Sequence, residues 1–292
     1  MIKIRVPATS ANLGPGFDCL GIALGLYNEF EVEPADALRL EGIDLRFSDE
    51  DNLFIRAFRK AGGKGNLRVF FNCDIPVSRG LGSSASLYAG GALAAQILNG
   101  AVDRNALFRT VAELEGHPDN AAPAVYGGFT ASIRGSHGWL STEVPVNETL
   151  RFTVLVPEVE LNTEEERGLL PDSYSRQDAV VNSGRAVMMC EAIRTGDIGL
   201  LREAGQDLFH EPYRKSLIPS FDIIKQITQH DTGGALVISG SGSSCLLISD
   251  HPLSDSAALN IMTLPEHWTV RELPLSSGTE YTEDGKAWQA II

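Results

Sequence analysis

Apolar positions in this chain follow two periods, one near two and one near 3.6, that alternate along its length. Residues 3–6 open with a short strand pattern, and residues 21–32 alternate apolar and polar side chains on toward Leu40. They predict antiparallel strands with a turn at Pro34, Ala35 and Asp36. Residues 67–73 (LRVFFNC) and 151–157 (RFTVLVP) are rich in β-branched and aromatic residues and predict two more. Helical spacing appears over residues 51–61, capped by Asp51 and Asn52 and stopped by Gly62 and Gly63, and again over residues 103–114 and 178–193 and from about Ser220. Gly127 and Gly128 introduce strands through Ile133 and around Trp139. Residues 235–239 and 245–249 read as strands about a glycine-serine loop, and residues 269–275 as the last strand. A helix start is expected at residues 163–166 (TEEE). Strands and helices follow one another without regular βαβ units, which predicts an α+β fold. A polar connection at residues 146–149 precedes the apolar strand at 151, so the boundary is placed there, giving domains 1–148 and 149–292.

Length agrees with that division, since 292 residues are long for one core. A hydrophobic content of 43% supports a folded chain, and no apolar run reaches the length of a membrane span. The first residues enter a strand pattern directly and lack the apolar core of a signal peptide. Cys19, Cys73, Cys190 and Cys245 are scattered with no CxxC pair, which predicts reduced thiols and a cytoplasmic protein. The net charge of −14, with no basic cluster to offset it, makes nucleic acid an unexpected partner. Membrane is not an expected partner either, whereas a small anion remains compatible, because local dipoles and a bound cation can outweigh the overall field.

The most informative stretch is PVSRGLGSSAS at residues 76–86, between the strand at 67–73 and a small-residue helix reaching Leu98. Gly80 and Gly82 allow positive φ and close backbone approach, and Ser83 or Ser84 is placed to cap the helix. The first-turn N–H groups of that helix have no internal partners, and its dipole adds about half a positive charge at the same end. An anion fits there. Arg79 is the only charge from Pro76 to Leu98, so such a site would grip phosphate mainly through backbone dipoles. No GxxxxGK[ST] occurs, which removes the Walker A reading, and the loose GxGxxG/A match lacks the strand and acid of a Rossmann unit. The other reading is a turn before a helix whose Ala85, Ala89, Gly90 and Gly91 serve only close packing.

Two further stretches concentrate polar side chains. PATSANLGPGFD at residues 7–18 packs glycines and prolines around Ser10, Asn12 and Asp18, either as a rigid turn or as a ligand loop. ELEGHPDN at residues 113–120 crowds Glu113, Glu115, His117, Asp119 and Asn120 before an apolar run, which suggests catalysis or metal binding. Arg185 and Arg214 would by residue type belong to a solvated surface.

Taken in order, residues 7–18, 76–86 and SGSGSS at 239–244 resemble the three signatures of the GHMP small-molecule kinases. Residues 115–128, 169–182 and 210–221 are similar to the homoserine kinases of that superfamily. The resemblance runs nearly end to end. It implies two α+β domains, the first like ribosomal protein S5 domain 2 and the second ferredoxin-like, with ATP in the cleft between them. It implies ATP-dependent phosphorylation of the L-homoserine hydroxyl on the route to threonine. By the motifs, Gly80, Leu81, Gly82, Ser83, Ser84, Ala85 and Ser86 would hold the phosphates, Pro76, Val77, Ser78 and Arg79 would complete the ATP-binding stretch, and Asn52 would lie near adenine. Ser84 and Glu113 would hold Mg²⁺, with Glu115 the alternative to Glu113. Asn12, Asp18, His117, Asp119, Asn120, Arg185 and Arg214 would surround homoserine, Asp18 meeting its ammonium and the arginines its carboxylate. Asp119 or Asn120 would orient the hydroxyl, since phosphoryl transfer needs alignment and charge more than a strong base. Ser243 stands where the third motif usually has proline, which predicts a looser loop and altered nucleotide affinity. Another GHMP kinase, acting on mevalonate or a sugar, is the nearest rival, and a ligand sensor without activity the next. A homodimer is left open.

Overall fold

A computed structural model describes residues 1–159 and 168–291. The helix start expected at residues 163–166 lies outside the described residues. The first sheet is laid down by an antiparallel pair, β1 (Ile2–Ala11) and β2 (Leu20–Ala35), joined by the loop at residues 12–19. β1 runs through Pro7 instead of ending there. Proline lacks the N–H that a ladder needs, and the pairing accommodates it by shifting register between Pro7 and Ala8. β4 (Asn66–Cys73) pairs antiparallel with β2, and β3 (Arg39–Glu41) is parallel to β4, unlike the antiparallel arrangement expected for this stretch. β5 (Phe129–Gly135) joins the start of β2 and carries β6 (Gly138–Val144).

Helices α1 (Leu53–Lys60), α2 (Ser83–Leu98), α3 (Arg104–Glu115) and α4 (Ala121–Tyr126) pack their apolar residues into the core of this sheet. Phe30, Phe54 and Phe71 meet in tilted and edge-on contacts 5.1 to 5.7 Å apart, a geometry that suits aromatic quadrupoles. The small residues of α2 let it press on α1: a Cβ at Gly91 would stand 1.9 Å from the Phe54 carbonyl oxygen.

The second sheet is antiparallel, in the order β10 (Thr269–Leu273), β7 (Arg151–Val156), β9 (Cys245–Ser249), β8 (Ala235–Ile238). Among the described residues, the helices α5 (Arg176–Thr195), α6 (Ile198–Ala204) and α7 (Glu211–Arg214) precede α8 (Phe221–Thr232), which leads into β8. With α9 (Asp255–Met262) between β9 and β10, this is the ferredoxin-like split βαβ arrangement.

Two short strands follow β10, which is therefore not the last. β11 (Glu280–Glu283) pairs with β1, and β12 (Gln289–Ala290) pairs with β11. The end of the chain thus returns to the first sheet, departing from a division into 1–148 and 149–292. No helix among the described residues is long and apolar enough to cross a membrane. All four cysteines are free, and burial pushes the Cys19 thiol up to about 11.

Candidate active site

A cleft of about 1220 Å³ is lined from both halves of the chain. One wall is the glycine cradle at residues 76–84, another the end of α3 and the turn after it, a third the loop at residues 12–18, and Arg214 and Gly240 close it from the second half. The expected helix cap is corrected. Gly82, in the left-handed conformation with φ of 69°, is the N-cap of α2, no side chain caps it, and Ser83 and Ser84 lie inside the first turn. First-turn N–H groups and the positive end of a sixteen-residue helix therefore stand at the cleft. Gly82 has no room for a side chain, because a Cβ would stand 1.9 Å from Thr9 Oγ1.

Not every cradle residue faces the cleft. Ala85 is core, and Ser86 is buried, its Oγ donating to the Ser83 carbonyl and accepting from Asn28 Nδ2. Arg79 lines the rim, but its Nε donates to the Pro157 carbonyl and its Nη2 to the Glu158 carbonyl, so its guanidinium ties the cradle to the end of β7. The third motif packs on the cradle as well. Ser239 Oγ donates to the Gly80 carbonyl at 2.7 Å, and Ser244 N–H to the Arg79 carbonyl at 3.2 Å. The looseness expected at Ser243 is offset by burial of its side chain, whose Oγ donates to the Val159 carbonyl.

Asn52 lines the cleft and is also the N-cap of α1, accepting from Phe54 N–H and donating to the Phe47 carbonyl. Both ends of its amide are thereby committed to the scaffold.

At the other end of the cleft, Asp18, His117 and Asp119 bring one ligand atom each to within 4.8 Å of one another. His117 Nδ1 lies 2.6 Å from Asp119 Oδ1, and since the carboxylate accepts, Nδ1 carries the proton. Asp119 Oδ1 also accepts from Asn120 N–H, and Asn120 Oδ1 accepts from Thr9 Oγ1 at 2.7 Å. Arg214 is buried, 5.4 Å over the Phe17 ring, and donates from Nη1 to the Gly240 carbonyl. Asn12 Nδ2 donates to that same carbonyl, and its Oδ1 accepts from Asp18 N–H. Its amide thus holds the loop in shape while Asn12 lines the cleft.

Two further expected site residues stand outside the cleft lining. Glu113 does not line the cleft: it is half exposed, 3.6 Å from Lys60 Nζ, whereas Glu115 does line it. Two residues on a helix are about 200° apart around its axis, so only one of the pair can face inward. Arg185 lies on a separate cavity of about 350 Å³ and donates from Nη2 to Gln206 Oε1 at 3.1 Å. Asn182, three residues earlier on α5, takes the inward position, donating to the Pro15 carbonyl and accepting from Leu208 N–H.

Thr9 and the segment lining the far end of the cleft, Gly42, Ile43, Asp44, Arg46 and Phe47, were not singled out by sequence reasoning. Thr9 lies in the motif at residues 7–18, where nothing marks it apart from its neighbours, and the structure places it in β1. It connects the cradle to Asn120 because its N–H donates to the Leu81 carbonyl while its hydroxyl donates to Asn120.

Residues 52–128 match the family model of the GHMP kinases N terminal domain, and residues 189–264 that of the GHMP kinases C terminal. A homoserine kinase of Clostridium botulinum (strain Okra / Type B1) is 40% identical over 285 residues, covering 94% of this chain and 96% of the relative. A solved structure from Listeria monocytogenes, assigned as a homoserine kinase, has a TM-score of 0.83 and 30% identity over 97% of this chain and 100% of its own. The homoserine kinase of Cytophaga hutchinsonii gives a TM-score of 0.82 at 27% identity, over 96% of this chain and 97% of its own. Mevalonate kinase, at 15% identity and a TM-score of 0.68 over 94% of this chain and 98% of its own, shares the fold. The chain belongs to the GHMP kinases and, within them, to the homoserine kinases.

Proposed function

We propose that this protein transfers the γ-phosphoryl group of ATP to the side-chain hydroxyl of L-homoserine, giving O-phospho-L-homoserine and ADP, and so serves threonine biosynthesis in the cytoplasm. One observation carries the substrate reading: a corner with two carboxylates, Asp18 and Asp119, lines the same cleft as the buried guanidinium of Arg214. An α-amino acid presents an ammonium and a carboxylate, and these groups are complementary to it. Mevalonate and sugars have no ammonium to place against Asp18.

The phosphates belong at the cradle, where the uncapped start of α2 offers N–H donors and a positive dipole. Ser84, in the first turn of α2, and Glu115, at the end of α3, both line the cleft and offer hard oxygen ligands, so they fit a Mg²⁺ ion accompanying ATP. When bound, the ion neutralises charge on the phosphate oxygens. In the transfer the hydroxyl oxygen forms a bond to the γ-phosphorus, the bond from that phosphorus to the β,γ-bridging oxygen breaks with its electron pair leaving on ADP, and the hydroxyl proton passes to bulk water. Asp119, held by the His117 contact and by Asn120 N–H, and Asn120, held by Thr9, orient the hydroxyl. No strong base is required of them, because charge in a loose transition state lies on the transferred group.

An ADP-release assay of the purified protein with homoserine, serine, threonine, mevalonate and galactose tests the assignment. Homoserine should be turned over with the highest kcat/KM. Faster turnover of mevalonate or galactose, or none with homoserine, would overturn it.

A further inference from the structure

The loop at residues 12–18 carries Asp18 in a backbone that needs outside support. Asn12, Leu13 and Asp18 have φ of 70°, 47° and 54°, in the left-handed region that side chains with a Cβ rarely adopt. Support comes from the second half of the chain. Asn12 Nδ2 donates to the Gly240 carbonyl and Asn182 Nδ2 to the Pro15 carbonyl, while His210 Nε2 lies 2.9 Å from the Gly14 carbonyl oxygen. A carbonyl can only accept, so His210 carries its proton on Nε2. Nδ1 is buried without a hydrogen-bond partner among the described residues. The neutral form suits this setting, since burial lowers the basicity of the ring.

The rest of the histidine is anchored with equal care. It immediately precedes α7, where Asp207 Oδ2 accepts from the N–H groups of both His210 and Glu211 at 2.6 and 2.7 Å. Its ring centroid lies 5.6 Å from that of Phe17, the same ring that Arg214 covers four residues further on. One short segment therefore presents the carboxylate-binding arginine to the cleft and an imidazole donor to the back of the loop that holds the ammonium-binding aspartate.

We propose that His210 is a positioning residue for the amino-acid substrate: through its hydrogen bond to Gly14 it sets the loop that carries Asp18, without lining the cleft itself. The inference rests on the homoserine reading above. It assigns the effect to the N–H donor and to the amino-acid end of the cleft, with the nucleotide end unaffected, because the cradle has its own supports in Thr9, Ser239 and Arg79.

The test measures KM for homoserine and for ATP separately in His210→Phe, which keeps an aromatic ring without the donor, and in His210→Gln, whose amide N–H can replace Nε2–H. Loss of one buried hydrogen bond should raise the homoserine KM about tenfold in H210F, with the ATP KM changed less than about twofold. H210Q should return the homoserine KM to within about threefold of wild type, as a partial replacement of that bond. If H210F does not fold, His210→Ala is compared with H210Q in the same way. Equal impairment of H210Q and the donor-free variant, a parallel rise of the ATP KM, or an unchanged homoserine KM would each overturn the proposal. Failure of the wild type to phosphorylate homoserine would instead overturn the substrate assignment, so the two failures are distinct.

Discussion

The hydroxyl of Ser239 donates to the carbonyl of Gly80 at 2.7 Å, fastening the glycine-serine loop of one sheet to the glycine cradle beside the other. The contact works only because Gly80 has no side chain. Its φ is 72°, and a Cβ there would stand 2.1 Å from the Ser239 carbonyl oxygen and 2.6 Å from that of Gly242.

Gly80→Ala must therefore push the third motif away from the cradle. A displacement of about 1 Å at a reacting centre can cost roughly a hundredfold in rate, so kcat/KM for ATP should fall by at least about tenfold. Gly65→Ala is the control, since Gly65 has a φ of 75° with nothing within 4 Å of its Cβ position. It pays only left-handed strain of about 1 kcal/mol and should lower Tm slightly while leaving ATP kinetics intact. Equal effects of the two substitutions on ATP kinetics would show that backbone strain, and not the contact between loops, governs nucleotide binding.

Glu115→Gln should raise the Mg²⁺ concentration needed for half-maximal turnover, because removing a carboxylate charge weakens a hard-cation site. Glu113→Gln should not. It gives up an exposed ion pair with Lys60 worth at most about 1 kcal/mol. Mg²⁺ titrations of both variants at fixed ATP decide the point, and a larger shift in E113Q would return the metal to that residue.

How much of this could be read from the chain follows from the range of the interactions involved. Local signals placed α1, with Asn52 as its cap, and the strands β4, β7 and β9, because caps and periodicity are properties of neighbours in sequence. β11 and β12 went unseen: they are four and two residues long, and β11 finds its partner, β1, at the opposite end of the chain. The same divide runs through the site. The glycine cradle and the HPDN turn announce themselves by composition, whereas choosing between Glu113 and Glu115 depends on helical phase at a helix end, where the next turn is missing. Thr9 belongs to the motif at residues 7–18, but its own role is not legible there, since it exists only once Leu81 and Asn120 are folded onto it. Arg185 matched the chemistry expected of a carboxylate clamp, but a residue type does not reveal that Gln206 will take its guanidinium toward another cavity.

The two arginines, treated alike on sequence grounds, should therefore separate in kinetics. Arg214 is buried on the cleft with its guanidinium over Phe17, so Arg214→Met keeps an apolar stem against that ring and discards the charge. Loss of a charge-assisted contact worth about 1.5 to 3 kcal/mol should raise the homoserine KM roughly ten- to a hundredfold, with a smaller effect on ATP. Arg185→Ala should change it by less than about twofold, as expected for a residue outside the cleft. A lower homoserine affinity in R214M has a competing explanation in loosened packing, and a substrate analogue separates the two. In 3-aminopropan-1-ol the carboxylate is absent, so wild type should use it poorly, and R214M should lose little further activity on it. Enzyme and substrate changes that remove one interaction are non-additive, whereas a packing defect would penalise both substrates alike. Additive losses would mean that Arg214 does not bind the carboxylate, and the amino-acid reading would then lack its cationic half.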